Sequence, residues 1–206
     1  MRSSKWVIAV VAAATLVTGV DHSAYAAFIG MPKMLGQMAK RISFGNYTLA
    51  PMAFTQFCLR YRDQCKAQQT VFRGGSVHLT EERWDDLKSV NKSVNANIAP
   101  EPNTAGLAGE KWLINPARGD CNDFAVTKRA QLLKRGWPAR SLLLSEVTTS
   151  WGEGHLILVV RTSAGDLVLD NLTASIQPWT RAPYHWKRMQ TPENPNYWAS
   201  LSGRNV

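Results

Sequence analysis

An α+β fold, one helix packed against an antiparallel meander, is predicted by three patterns in the second half of this chain. Asp120 stands in a capping position ahead of a helical segment, 121–134, with Asp123 in its first turn. Phe124, Ala125 and Leu132 give that segment an inward face, and Gly136 followed by Pro138 closes it. Three strand-like runs come next, at 141–148, 155–162 and 167–170. Trp151-Gly152-Glu153-Gly154 and Ser163-Ala164-Gly165-Asp166 are the turns between them.

The first half carries one clear element. Thr80 reads as a helix cap with Glu81 and Glu82 in the first turn. Trp84, Leu87, Val90, Val94 and Ile98 follow at steps of three and four until Pro100 stops the pattern. Residues 99–109 read as a loop. Residues 28–56, rich in Gly, Met and Pro, show no period and read as irregular. The stretch from Ile176 to Trp198, with Pro178, Pro183, Pro192 and Pro195, reads as an extended surface tail.

The beginning has a different character. Arg2 and Lys5 precede an apolar run from Val7 to Val17, and Ala24-Tyr25-Ala26 forms a small-residue cleavage site. Residues 1–26 are therefore expected to be a secretory signal peptide, and 27–206 one domain. The run is shorter than the roughly 20 residues that span a bilayer, so no transmembrane anchor is expected after processing. Export leads to a periplasmic or secreted protein.

The full chain has a formal net charge of +9, and losing Arg2, Lys5 and Asp21 with the signal leaves +8. The basic residues are scattered without a dense run, which argues against a nucleic-acid partner. An oxidising compartment favours pairing of the neighbouring Cys58 and Cys65. Seven residues of unbroken helix would hold their Cα atoms about 10 Å apart, beyond the reach of a bridge, so a turn is expected near Tyr61–Asp63. Cys121 is then the cysteine left over, set among Asp120, Asn122 and Asp123 rather than apolar neighbours.

A thiol, an imidazole and a carboxylate occur in the order Cys121, His155, Asp170. Together they make a nucleophile, a proton shuttle and a group to orient the shuttle. Cys121 opens its helix, where the dipole favours a thiolate. His155 opens one strand and Asp170 ends the next, so a hairpin would bring them roughly opposite. Each residue also has an ordinary structural reading, and it is their joint context that points to catalysis. Trp112 could wall the site or pack in the core, and Asn171 could orient the imidazole in place of Asp170.

Three blocks carry a resemblance to a known family: Gly-Asp-Cys-Asn-Asp-Phe-Ala at 119–125 with Lys111-Trp112 upstream, Gly-His-Leu-Ile-Leu-Val-Val at 154–160, and Leu-Val-Leu-Asp-Asn-Leu at 167–172. The chain resembles the bacterial transglutaminase-like cysteine peptidases, including periplasmic proteases that release biofilm adhesins. The resemblance implies a papain-like or transglutaminase-like core, with Cys121 as nucleophile, His155 as base and Asp170 as orienting group. It implies a protein substrate in the cell envelope and an inner-membrane regulatory partner. It also implies calcium held by acidic residues beside the nucleophile, here Asp120 and Asp123, with Asn122 where a Glu is usual. The chemistry itself requires no cofactor. Two other outcomes stay open: acyl transfer by a transglutaminase or amidase through the same thioacyl intermediate, and a non-catalytic binding module.

Overall fold

The helix that starts at Cys121 is buried on nearly every side, and the rest of the fold is arranged around it. A computed structural model describes residues 41–67 and 76–201, so the expected signal peptide and residues 28–40 lie outside the described residues. In order, the elements are β1 (Phe44–Thr48), α1 (Met52–Arg60), α2 (Glu81–Asn97), β2 (Ala99–Pro100), α3 (Gly106–Gly109), β3 (Arg118–Gly119) and α4 (Cys121–Lys134). Then come β4 (Leu142–Thr148), β5 (Gly154–Thr162), β6 (Gly165–Leu169), β7 (Gln177–Pro178), β8 (His185–Gln190) and β9 (Trp198–Leu201).

The meander β4–β5–β6 lies inside a seven-stranded antiparallel sheet of order β1-β9-β8-β4-β5-β6-β7. Both faces of its centre are covered. Leu142, Leu144, Leu156, Leu158, Val160, Leu167 and Leu169 pack with α1, α2 and α4 in one core. Leu143, Val147, Ile157, Val159, Val168 and Met189 pack on the other face with Ile42 and Ala182, rimmed by Trp179, Tyr184 and Trp186. A strand buried on both faces reads as a continuous apolar run, which is what 156–160 is. Among the described residues, no helix is long and apolar enough to cross a membrane.

The two helices recognised in the sequence begin where their caps put them. Thr80 accepts the Arg83 amide through its hydroxyl. At the far end of α4, Gly136 takes a left-handed φ of 81°, the conformation glycine adopts without penalty after a helix.

Three segments depart from expectation, the first being 99–109, expected as a loop but holding the two-residue β2 and the one-turn α3. Within 28–56, β1 and α1 are regular elements. β1 is an exposed edge strand with an irregular register against β9, so it lacks the alternation that marks a half-buried strand. The tail is not a surface wrap either. β8 pairs with β4 near the centre of the sheet, and Met189, Trp198 and Ala199 are buried. The prolines that suggested an extended tail fall outside β8 and β9, at strand ends and connections where they remove no ladder bond.

Cys58 and Cys65 form a disulfide with their Cα atoms 5.6 Å apart. The helix break this needs is present: α1 ends at Arg60, and Arg62–Gln64 turn as a short 3-10 helix. The closed loop is built into the domain. Gln64 offers its carbonyl to the Arg129 guanidinium at 2.8 Å, and the Asn196 amide donates to the Cys65 carbonyl at 3.0 Å. Replacing both cysteines by serine should lower the unfolding free energy by about 2–3 kcal/mol for so short a loop. An unchanged denaturation midpoint would mean that these contacts hold the loop without the bridge.

Candidate active site

The start of α4 is fixed by two aspartates acting on each other's backbone. Asp120 accepts the amides of Asn122 at 2.9 Å and Asp123 at 3.5 Å. Asp123 returns the bond, its Oδ2 accepting the Asp120 amide at 3.1 Å, which completes a capping box. The other oxygen of Asp123 accepts the Leu113 amide at 2.6 Å, tying the helix to the incoming chain. Gly119 lies so close to the Asp123 carboxylate that a Cβ there would collide with it. Glycine here is a matter of space.

His155 Nε2 and Asp170 Oδ1 are 2.8 Å apart. The β5–β6 ladder pairs Leu158 with Leu169 and Thr162 with Gly165. Continued one step, it would set Asp170 opposite Ile157, two residues from His155 rather than level with it. An offset of two keeps both side chains on the same face, so the diagonal contact forms. Asp170 also accepts the Leu172 amide at 3.2 Å and a very short bond from the Tyr184 hydroxyl, and its own carbonyl accepts the Asn95 side chain at 2.9 Å. Burial pushes the Asp170 carboxyl up, but His155 and Tyr184 outweigh it and hold the group below the usual carboxylate value.

Cys121, the free cysteine of the described residues, meets His155 at a cavity of about 270 Å³ lined also by Glu110, Asn122, Glu146, Leu156 and Lys187. Since Nε2 is held by Asp170, Nδ1 is the ring nitrogen left to exchange a proton with the thiol. The thiol itself is far from ionised. Burial pushes it up to about 12; the charges of Asp120, Glu110 and Asp170 push the same way, and only the Leu156 amide opposes them. A helix start was expected to do the reverse. Here Asp120 has already taken two of the first amides and added a negative charge of its own, so little of the dipole is left for the thiol.

The remaining candidates are placed as follows. Trp112 is 1% exposed and packs against Phe54 and Phe57 in the core, reaching the site only through its indole N–H, which donates to Glu110 at 3.0 Å. Asn171 follows Asp170 and takes no part in the bonds that hold His155. Asp120 and Asp123 have the geometry of a cap: three of their four oxygens face main-chain amides, where calcium would ask for six to eight oxygen ligands. Among the described residues, no three His, Cys, Asp or Glu side chains are grouped to hold a metal ion.

Two residues of the site escaped sequence reading. Glu110 accepts the Asn122 side chain at 2.6 Å as well as the Trp112 indole, but it closes a loop whose composition gives no signal. Tyr184 lies beside the His155 ring, with centroids 5.6 Å apart, in a segment that read as a proline-rich tail.

The family profile described as bacterial transglutaminase-like cysteine proteinase matches residues 44–206. No curated protein matches the chain's sequence. Among solved structures, Legionella pneumophila LapG is similar at 23% identity, over 56% of this chain and 66% of that one, with a TM-score of 0.47. Its calcium-bound form gives 21%, 60%, 73% and 0.49, and its EGTA-treated form 21%, 60%, 69% and 0.47. The chain thus spans just under two thirds of the first of these structures.

Because the thiol is held protonated, alkylation of Cys121 by iodoacetamide should be slow at neutral pH. The rate should rise about tenfold per pH unit on going alkaline, as the thiolate fraction does. Asp120→Asn should raise it at fixed pH by removing the nearest negative charge. A rate that is flat between about pH 6 and 9 would show a preformed thiolate and overturn this description of the free site.

Proposed function

Because this chain belongs to the bacterial transglutaminase-like cysteine proteinase family, we propose that it is an exported endopeptidase that cleaves a protein of the cell envelope, with Cys121, His155 and Asp170 as its catalytic groups. The family's core, a nucleophile helix packed on an antiparallel sheet, matches the arrangement of α4 on β4–β6. The observation that carries the reading is the 2.8 Å bond between His155 and Asp170, which leaves Nδ1 to serve a thiol at the same cavity.

The chemistry follows from those positions. With the thiol neutral at rest, His155 acts as a general base during attack rather than as one half of a standing ion pair. Nδ1 takes the Cys121 proton as sulfur bonds to the peptide carbonyl carbon. The imidazolium, steadied by Asp170, then gives that proton to the departing amine. Water, deprotonated by the same nitrogen, resolves the thioacyl intermediate and frees the carboxylate product.

An adhesin-type surface protein as substrate rests on the motif resemblance, as does an inner-membrane regulator. The periplasm, or the outside of the cell, is favoured by the signal-like residues 1–26 and by the Cys58–Cys65 disulfide, which such compartments preserve. No step of this mechanism is routed through calcium. L. pneumophila LapG has a calcium-bound structure, but in this chain the expected ligands Asp120 and Asp123 are committed to amides.

The decisive experiment compares cell-surface and culture-medium proteins from cells carrying the wild type or Cys121→Ala. A surface protein should shorten or move to the medium with the wild type alone; identical profiles would sink the envelope-protease reading. In purified protein, Asp170→Asn should fold and lose about 10–1000-fold in kcat/KM, less than a serine triad loses, because even a thiol raised to about 12 gives up its proton more readily than a serine hydroxyl. Unchanged turnover would remove Asp170 from the catalytic group.

Calcium is tested separately. Asp123→Ala should cost about 1–2 kcal/mol of stability with or without calcium, as loss of a cap does. A melting temperature that rises with calcium in the wild type and not in Asp123→Ala would show that the aspartates turn to a cation.

A further inference from the structure

A second cavity, of about 370 Å³, opens near the Cys121 cavity and differs from it in chemistry. Its walls include Trp179 and Trp186, which meet edge to face with ring centroids 5.8 Å apart, and Tyr184. All three rings rim the second core and are only half-buried, packed on one side and open to the cavity on another. Among the described residues that line it, none is acidic, whereas Glu110 and Glu146 line the Cys121 cavity. Two indoles and a phenol offer a large apolar contact area with few polar atoms.

The register of the sheet sets how far apart the two cavities lie. Both are at the end of the sheet where β4 stops and where β5 and β8 start. Thr148, the last residue of β4, pairs with Gly154 on one side and with His185 on the other. Gly154 lines the Cys121 cavity, and His185 lines the aromatic one. Two strand spacings separate them, about 10 Å, a span that about three residues of extended peptide cover. Gly154 is exposed, with open space where a side chain would stand, so a chain can pass close over it. Tyr184 is the shared wall. Its ring centroid lies 5.6 Å from that of His155, its hydroxyl donates to Asp170, and it lines the aromatic cavity.

We infer that the Trp179–Trp186 cavity is a specificity subsite, taking one large apolar side chain of the peptide substrate, aromatic or leucine-like, about three residues from the bond that is cut. The inference rests on the peptidase reading above. The substrate's own chain is the occupant, because a peptide laid across His155 reaches the cavity by way of Tyr184. A small or polar side chain would forgo the aromatic walls, and a cationic one would meet Arg181 in the same lining. Filling the cavity adds binding that the ground state and the transition state share, so its effect falls on KM.

The test uses the whole protein and a randomised peptide library, with the cut ends read by mass spectrometry. The wild type should enrich Phe, Tyr, Trp and Leu at one fixed position, about three residues from the cut. Trp186→Ala should raise KM about 10–100-fold for a peptide with Phe there, with kcat kept, and leave its alanine counterpart unchanged. Ser150→Trp, at the exposed turn after β4, should fill the cavity and do the same with its aromatic walls intact. No positional preference in the wild type, or a Ser150→Trp protein that treats the two peptides alike, overturns the inference. The cavity is also judged apart from catalysis, in Cys121→Ala protein. N-acetyl-phenylalaninamide should move the indole N–H resonances of Trp179 and Trp186, assigned from their Phe variants, and leave that of the buried Trp112 in place. Indole resonances that stay put overturn the inference. If the wild type cuts no peptide while these resonances move, it is the peptidase reading that fails and the apolar site that stands.

Discussion

Seating a thiol at the buried start of a helix is the constraint on which the rest of this structure depends. A helix start leaves four amides without partners, and burying them unpaired would cost more than a small domain can spare. Asp120 and Asp123 answer that need, and the answer fixes neighbouring features. Gly119 cannot carry a side chain beside Asp123, and Leu113 must run close enough to give its amide. The same carboxylates charge the surroundings of the thiol. A stable helix end and a ready thiolate are competing demands here, and stability has the first claim.

That competition gives His155 and Asp170 their importance. Where the helix does not ionise the thiol, the proposed reaction has to remove its proton during attack, and the removing group has to be held with little freedom. Asp170 does so by collecting His155, Tyr184 and the Leu172 amide on its two oxygens while Asn95 holds its main chain. It is anchored from β5, from the segment before β8 and from α2, so the site draws on both layers that sandwich the sheet.

What was legible in the sequence was what local chemistry dictates. Caps at Thr80 and Asp120 announced two helices, apolar runs bounded by glycine announced the meander, and an odd cysteine among acids announced itself. The disulfide was readable along with the turn it needs. What was not legible depends on partners far away in the chain. β8 is a central strand only because β4 lies beside it, and β1 is a strand only because β9 is. Trp112 could be placed only once Phe54 and Phe57 closed around it. Nothing in the adjacent Lys128 and Arg129 signals burial, because charged residues sit inside a fold only when packing on every side leaves them no exit. The bonding of Asp120 and Asp123 was illegible for a related reason: a carboxylate beside a cysteine looks the same in sequence whether it faces an ion or an amide.

The pairing of β1 with β9 carries a consequence for timing. Phe44 lies against Leu201, so one edge of the sheet joins stretches of chain that are synthesised far apart. Closing so long a loop is entropically expensive and comes late, and β9 itself leans on β8, which leans on β4. Helix α4 and the meander can associate while the C-terminal strands are still missing, but the sheet cannot reach its full width. A chain halted short of Trp198 would leave β8 as a bare edge, open to pairing with another chain until the last strand arrives.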